Sequence, residues 1–192
     1  MVRVLLIVIF SFLYVNIYAQ KKTKKAAKPQ VLVYGHEAGA FSAAIQSAQS
    51  GVETLLIIDS THIGGTLISG KNKRISTNHY LDVGIWAFFL RGIANVKAIS
   101  DSVSTAAKNN ISPRIAQNVF EGTLDTVQRL SFRKNLKINA LEKSGKNWQV
   151  TLSSKDKIKV KAIVDASLNA SLSALITKNE DTHPAPMACA QL

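Results

Sequence analysis

The chain has 192 residues, with 24 Lys and Arg against 12 Asp and Glu, and a single cysteine. This length suits one ordinary domain and leaves little room for a second. Hydrophobic residues make up 46% of the sequence, which argues against disorder along the whole chain. One cysteine excludes an intramolecular disulfide, and the Cys and His residues lack the spacing of a structural zinc site.

The amino terminus has the pattern of a secretory signal peptide over residues 1–19. The basic residue Arg3 precedes an apolar run, and the small residue Ala19 follows it. The run from Val4 to Val15 is shorter than the roughly 20 residues that cross a bilayer as a helix. We therefore expect cleavage after Ala19, no stable membrane span in the mature chain, and a secreted or periplasmic location.

Residues 20–30 are predicted to form a basic linker, with five lysines between Lys21 and Lys28. So many lysines cannot be buried without partners, so we expect this segment to be solvated. Its charge could attract an anionic surface, although a plain linker is the simpler interpretation. Aromatic residues make up 7% of the chain and are not interleaved with the basic ones, so we expect no nucleic-acid partner.

The segment after the linker predicts a strand, a helix and a second strand. The apolar run Val31–Tyr34 is typical of a strand buried on both faces. A helix with alanines at helical spacing follows and is expected to end at Gly51. The run Val52–Ile58 predicts the next strand. The length of this unit suits a right-handed crossover between parallel strands.

The turn before the helix partly matches the fingerprint G-x-G-x-x-G/A of dinucleotide-binding proteins. Gly35 permits the turn, and Ala40 permits close packing of helix and strand. Glu37 replaces the second glycine and brings a carboxylate near the expected pyrophosphate unless its side chain swings outward. Gly39 partly restores backbone freedom, and Asp59 follows the second strand where ribose hydroxyls are usually bound. A βαβ unit that binds no nucleotide is the alternative interpretation.

Later segments predict a helix and a β-meander. Ser112 is expected to cap the helix, with Pro113 at its first position. The aromatic segment Trp86–Leu90 is predicted to be a buried helix. Two turn-like segments separate three β-rich runs. These runs are Leu136–Leu141, Trp148–Leu152 and Ile158–Val164.

The glycine pair after the second strand completes a family resemblance. Ile63–Leu67 and Ser69–Gly70, together with Val33–Gly35 and Asp59, resemble the corresponding motifs of bacterial FAD-dependent oxidoreductases with a glutathione-reductase-like fold. Paired glycines let the backbone pass close to a flat or charged ligand. The resemblance covers about residues 31–176. It implies an α/β, Rossmann-like FAD/NAD(P)-binding domain with a parallel sheet and a three-stranded antiparallel β-meander.

The resemblance also implies FAD as the cofactor and assigns binding roles. In the family, the first turn passes the pyrophosphate, the acidic residue binds the adenosine ribose, the glycine pair lies beside the flavin, and a returning strand ends near the cofactor. The matching residues here are Gly35, Gly39, Ala40, Asp59, Gly64, Gly65, Ala166 and Ser167. No residue is identified as a catalytic acid, base or nucleophile, and no metal ligand is predicted.

Four other residues carry side chains that take part in catalysis or binding in many proteins. His36 could contact phosphate, but a solvent-exposed loop histidine is the commoner case. His79 and Asp82 could form a general-base pair, although nothing in their spacing brings them to one pocket. Cys189 has no partner motif and is expected to be an inert free thiol.

Departures from the family leave the function open between two classes. Family members continue into a substrate domain and a later FAD-contacting segment, whereas this sequence has a domain at 31–178 and a polar tail at 179–192. Lys71–Arg74 stands where the family usually continues with glycines. The first interpretation is an FAD-dependent oxidoreductase with a degenerate binding motif. The alternative is a truncated or catalytically inactive relative that acts as a secreted binding module, or that needs a second polypeptide to complete the flavin pocket.

Overall fold

The structure, a computed structural model, describes residues 28–67, 83–100, 108 and 111–177 of the chain. In chain order the elements are β1 (Val31–Tyr34), α1 (Ala38–Gln49), β2 (Thr54–Ile58), a 3₁₀ turn (Gly65–Leu67), α2 (Gly84–Val96), α3 (Pro113–Thr126), β3 (Leu130–Lys134), β4 (Ile138–Ser144), β5 (Asn147–Leu152), β6 (Lys157–Val160), β7 (Ala162–Asp165) and α4 (Ser173–Thr177). Outside the described residues lie the predicted signal peptide, most of the predicted linker, Ser69–Gly70, Lys71–Arg74, His79, Asp82, Cys189 and the predicted tail at 179–192.

Four parallel strands form the central sheet in the order β3-β2-β1-β7. β1 lies between β2 and β7, and Val31 pairs with Thr54 on one side and with Ala162 on the other. Every residue of β2 is buried, as expected for a parallel strand that is covered on both faces. The predicted βαβ unit is therefore confirmed, with β1 and β2 as direct neighbours.

Helix α1 packs closely on this sheet because its inward face carries small residues. Side chains three or four positions apart share one helix face, and alanines at that spacing allow a close approach to the strands. The buried residues of α1 are Ala40, Phe41, Ala44, Ile45 and Ala48. Gly51 follows the helix with φ +87°, a left-handed conformation that commonly ends helices. The predicted role of Gly51 is confirmed.

An aromatic cluster joins α1 to α2 and α3 on the same face of the sheet. Phe120 of α3 stacks on Phe89 of α2 with 4.4 Å between ring centroids, and it meets Phe41 of α1 edge-on at 4.5 Å. All three rings are almost completely buried. The predicted helical segment Trp86–Leu90 lies within α2. Its burial is only partial, because Phe88 is 48% exposed.

The opposite face of the sheet is covered by the meander of β4, β5 and β6. These strands pair antiparallel in that order and form a separate sheet. Alternate residues of β1 and β2 point toward this meander, since successive side chains of a strand point to opposite faces. The buried residues between the two sheets include Leu32, Tyr34, Leu55, Ile57, Leu141, Val150, Leu152 and Val160. The predicted α/β class, with a parallel sheet and an antiparallel meander, is confirmed.

One prediction about the strands was wrong and one strand was not predicted, whereas the expected returning strand before Ala166 and Ser167 is confirmed as β7, which pairs with β1. The run Ile158–Val164 is divided between two sheets, because the chain leaves the meander after Val160 and pairs with β1 from Ala162. At the crossing, the backbone N–H of Lys161 donates to the carbonyl of Gln30 at 2.7 Å. Strand β3 was missed altogether. It is an edge strand with partly exposed and polar residues, so it lacks the continuous apolar run that marks a buried strand.

Helix α3 begins where the sequence predicts, although the predicted capping bond does not form. Pro113 begins α3, and Ser112 occupies the N-cap position, but the Ser112 side chain makes no capping hydrogen bond. The Ser112 carbonyl instead accepts a hydrogen bond from Ala116 N at 3.0 Å. Within the described ranges, we find no helix that is both long enough and apolar enough to cross a membrane.

Candidate functional site

Three chain segments meet at the carboxyl edge of the parallel sheet. They are the β1–α1 turn, the segment after β2 and the segment after β7. Parallel strands end at one edge, and α/β proteins commonly bind ligands there. The predicted site residues all lie on these segments or in the first turn of α1, and they are Gly35, Gly39, Ala40, Asp59, Gly64, Gly65, Ala166 and Ser167. Ala40 is buried, whereas Gly39 is exposed.

Gly35 lets β1 and the end of β7 approach each other closely. Its φ is +140°, and a Cβ at this position would overlap the carbonyl group of Ala166, with the carbonyl carbon at 2.7 Å and Ser167 N at 3.0 Å. The backbone N–H of Ala166 donates to the Tyr34 carbonyl at 2.9 Å. The glycine is therefore required by the packing of two backbone segments, independently of any ligand.

Asp59 is paired with His36, a histidine of the turn after β1. His36 Nδ1 lies 2.6 Å from Asp59 Oδ1, and their side chains are 30% and 19% exposed. A carboxylate can only accept, so the imidazole donates from Nδ1. This bond joins the turn after β1 to the end of β2. The commoner expectation, a solvent-exposed loop histidine, is therefore wrong, because the His36 side chain is only partly exposed.

The carboxylate of Glu37 reaches across to the segment after β2. Its Oε2 accepts hydrogen bonds from Thr66 N at 3.0 Å and from Thr66 Oγ1 at 3.1 Å. Glu37 also occupies the N-cap position of α1, but its side chain makes no capping bond to that helix. No sequence signal could have revealed the pair, because the two residues are 29 positions apart and belong to no shared pattern.

The glycine pair is held from two sides. Gly64 has φ +107° and donates its backbone N–H to the His36 carbonyl at 2.6 Å. Just before it, the backbone N–H of Ile63 donates to Oε1 of Gln117 on α3 at 3.1 Å. The Gln117 amide also contacts Glu121, one turn further along α3. Gln117 thus positions the segment that carries Gly64 and Gly65. The sequence did not indicate this role, because polar residues of helices usually face solvent.

Asp165, the last residue of β7, forms hydrogen bonds with the residues that follow it. Asp165 Oδ1 accepts hydrogen bonds from Ser167 N at 3.1 Å and from Ser167 Oγ at 2.6 Å. Asp165 Oδ2 accepts from the backbone N–H of Leu172 at 2.9 Å. Ser167 Oγ in turn accepts from Ser171 N at 2.8 Å. These bonds shape the segment that packs against Gly35.

Tyr34 carries a titratable group close to this edge. Its side chain is almost completely buried between the parallel sheet and the meander. Burial raises the pKa of the Tyr34 phenol above the usual 10.0, and the negative charges of Asp59 and Asp165 raise it further. A hydrogen bond with the Ile138 backbone and one with Ser171 partly oppose this shift.

The chemistry of this edge fits a nucleotide in part. An acidic residue at the end of β2 suits ribose hydroxyls, and the first turn of α1 has backbone N–H groups without partners inside the helix. The Glu37 carboxylate does not fit a bound pyrophosphate, because it adds negative charge where phosphates carry their own. Among the residues that the structure describes, no three His, Cys, Asp or Glu side chains are grouped to hold a metal ion.

Solved structures that resemble this fold include flavin- and nucleotide-bound proteins. The chain is similar to OTEMO in complex with FAD and NADP, with 19% identity and a TM-score of 0.50, over 73% of this chain and 26% of that one. It is also similar to AlpK, with 13% identity and a TM-score of 0.52, over 72% of this chain and 31% of that one. A third is the bacillithiol disulfide reductase Bdr (YpdA) from Staphylococcus aureus, with 17% identity and a TM-score of 0.50, over 73% of this chain and 38% of that one.

These similarities concern the fold alone, since the sequence identities are low. The chain spans about a quarter to two fifths of the length of these proteins. A comparison with curated proteins finds no significant match.

The family assignment comes from a sequence comparison. A family model described as FAD dependent oxidoreductase matches residues 30–177, which include β1 to α4. The predicted cofactor, FAD, is thereby confirmed as the cofactor of the matching family. The chain belongs to the FAD-dependent oxidoreductase family.

Proposed function

We propose that residues 31–177 form an FAD-binding domain whose site lies at the carboxyl edge of the parallel sheet. The observation that carries this proposal is the meeting of three segments at that edge, in a chain that belongs to an FAD-dependent family. A bare βαβ unit would explain the strands and α1. Such a unit does not need two glycines with positive φ after β2, nor the hydrogen bond that joins Gly64 to the turn before α1.

Each proposed contact follows from the chemistry of its segment. Asp59 accepts hydrogen bonds from the ribose of the adenosine moiety through the carboxylate that His36 orients. The first turn of α1, with Gly39, faces the pyrophosphate, because helix N-termini attract anions. Gly64 and Gly65 lie beside the flavin end, where a Cβ would obstruct close approach. Once bound, FAD would supply the redox chemistry, while the protein binds and orients it.

The dinucleotide-binding fingerprint in the β1–α1 turn is degenerate. Glu37 stands at the second glycine position of the fingerprint, and Ala40 stands at the third. Gly35 keeps the first position, but its close neighbours are the backbone atoms of Ala166 and Ser167. We infer that FAD is bound more weakly here than by a site with a complete fingerprint.

The domain is proposed to work as part of a larger catalytic unit. It corresponds to a minor share of the length of the similar solved structures, and no catalytic acid, base or nucleophile is identified at the described edge. A substrate domain, in the same protein or in a second polypeptide, would then complete the flavin pocket. The signal-peptide pattern of residues 1–19 supports a secreted or periplasmic location. Amino-terminal sequencing of the exported protein should find Gln20 first, and an intact Met1 would contradict export by cleavage.

The test is equilibrium dialysis of the purified chain against FAD, with circular dichroism as a check of folding. We expect saturable binding of one FAD per chain. Asp59→Ala should weaken it by about tenfold, which is the effect of losing a hydrogen bond to a charged group. Asp156→Ala is the matched control, because Asp156 lies in the β5–β6 turn and bonds Arg133 at 3.0 Å. Absence of saturable binding to a folded chain would refute the proposal.

A further inference from the structure

The position of the Glu37 carboxylate is set by another segment and not by its own helix. Two donors of Thr66, the backbone N–H and the hydroxyl, converge on Glu37 Oε2 at 3.0 and 3.1 Å. The Glu37 side chain is only 17% exposed. A long acidic side chain at a helix N-cap would ordinarily extend into water, so these contacts hold it in one place.

Gly65 provides the space that the carboxylate occupies. Its φ is +46°, and a Cβ built on it would overlap the carboxyl group of Glu37. One of the two glycines assigned to close ligand approach is therefore already covered by a side chain of the same protein. A ligand that reaches Gly65 has to displace Glu37 from Thr66.

The charges around Glu37 make this position unfavourable for phosphate. His36 Nε2 lies 3.6 Å from Glu37 Oε1, while His36 Nδ1 bonds Asp59 Oδ1 at 2.6 Å. One imidazole thus stands between two carboxylates. The first turn of α1 favours an anion, and here the protein's own carboxylate lies next to that turn.

We propose that Glu37 is a specificity-determining residue that selects against the pyrophosphate of dinucleotides. Its carboxylate is held by Thr66 beside the first turn of α1, and its negative charge repels a phosphate bound at that turn. The inference rests on the proposed function, because it concerns the same edge of the sheet. It predicts that ligand affinity depends on phosphate charge, and that Glu37 alone accounts for most of that dependence.

The central variant is Glu37→Gln, which removes the charge and keeps an oxygen that can accept both hydrogen bonds from Thr66. The matched control is Glu53→Gln, since Glu53 also bears one negative charge but precedes β2 at the opposite edge of the sheet and faces Arg129 at 3.4 Å. Thermal unfolding of each variant checks that the fold is kept. A second variant, Glu37→Ala, removes the charge together with the Thr66 contacts.

The measurement is the dissociation constant of four ligands, FAD, ADP, riboflavin and adenosine, for each purified full chain. Glu37→Gln and Glu37→Ala should both tighten FAD and ADP by about tenfold, which corresponds to about 1.4 kcal/mol. Riboflavin and adenosine carry no phosphate, so their affinities should change by less than about twofold in Glu37→Gln, which keeps the Thr66 contacts. Glu53→Gln should leave all four affinities near those of the unaltered chain.

Several results would overturn the inference. Weaker FAD binding by Glu37→Gln would make Glu37 a residue that supports the cofactor, and an equal gain for adenosine would show a steric effect without charge selection. Unchanged FAD binding in both Glu37 variants, with saturable binding by the unaltered chain, refutes the inference and leaves the proposed function intact. If neither FAD nor ADP binds any variant, both proposals are wrong.

Discussion

The substitution Gly35→Ala tests whether the close contact between β1 and the end of β7 depends on the missing side chain. Gly35 has φ +140°, where L-residues are rarely found. An added methyl group would overlap the carbonyl group of Ala166 and approach Ser167 N at 3.0 Å. These neighbours are backbone atoms, so they cannot avoid the methyl group by changing a rotamer.

Two costs add to give the expected magnitude. Holding alanine in this backbone region costs about 1–3 kcal/mol. Moving the end of β7 to relieve the overlap strains or breaks the bond from Ala166 N to the Tyr34 carbonyl, now 2.9 Å, and a lost hydrogen bond costs about 0.5–1.5 kcal/mol. Gly35→Ala should therefore lower the free energy of unfolding by about 1.5–4.5 kcal/mol, a large fraction of the stability of a small domain.

Urea unfolding followed by circular dichroism measures this difference. Gly39→Ala is the matched control, because Gly39 lies in α1 and a Cβ there would meet nothing within 4 Å. Alanine is a better helix former, so the control should be unchanged or more stable by up to about 1 kcal/mol. A Gly35→Ala protein within about 0.5 kcal/mol of the unaltered chain would refute the packing argument.

Three further predictions concern the buried aromatic cluster, the titration of the Tyr34 phenol and the hydrogen bonds of Asp165. Phe120→Ala should lower the free energy of unfolding by about 3–5 kcal/mol in urea, because the ring fills a buried cluster with Phe41 and Phe89. A loss below about 2 kcal/mol would contradict that packing. The raised pKa of Tyr34 means that the folded chain holds the phenol proton more tightly than the unfolded chain. This stability is complete below pH 10.0 and is lost as pH rises through the raised pKa, so a Tyr34→Phe chain should lose less stability in alkaline urea titrations. Asp165→Ala should cost about 1–3 kcal/mol by chemical denaturation, because it leaves the donors after β7 without their acceptor; unchanged stability would show that water replaces the carboxylate.

Local patterns were sufficient for the main elements of the fold. The apolar runs of β1 and β2 mark strands covered on both faces, and the alanine face and Gly51 mark α1 and its end. β3 escaped prediction because its residues are partly exposed and its membership of the sheet depends on pairing with β2. The division of Ile158–Val164 also depends on pairing, since the run contains no turn residue to mark a break and only the partners on each side differ.

The sequence predicted where the candidate site residues lie more completely than which residues they bond. Motif spacing placed Gly35, Asp59 and the glycine pair near one edge, because the ends of parallel strands meet there. The partners of these residues come from distant parts of the chain. Gln117 bonds Ile63 from 54 positions away, and no motif links those two residues. The His36 interpretation failed for a related reason, since exposure depends on what other segments place beside a turn.

By itself, the sequence determined the α/β class, the βαβ unit, the meander and the family, because these follow from hydrophobic periodicity, turn residues and short motifs that each reside in a few consecutive positions. The tertiary structure alone decided what each polar group at the edge does. It paired Glu37 with Thr66 and His36 with Asp59. The physical reason is that a hydrogen bond needs its donor and acceptor within about 3 Å. Only the folded chain brings together groups that lie far apart in sequence.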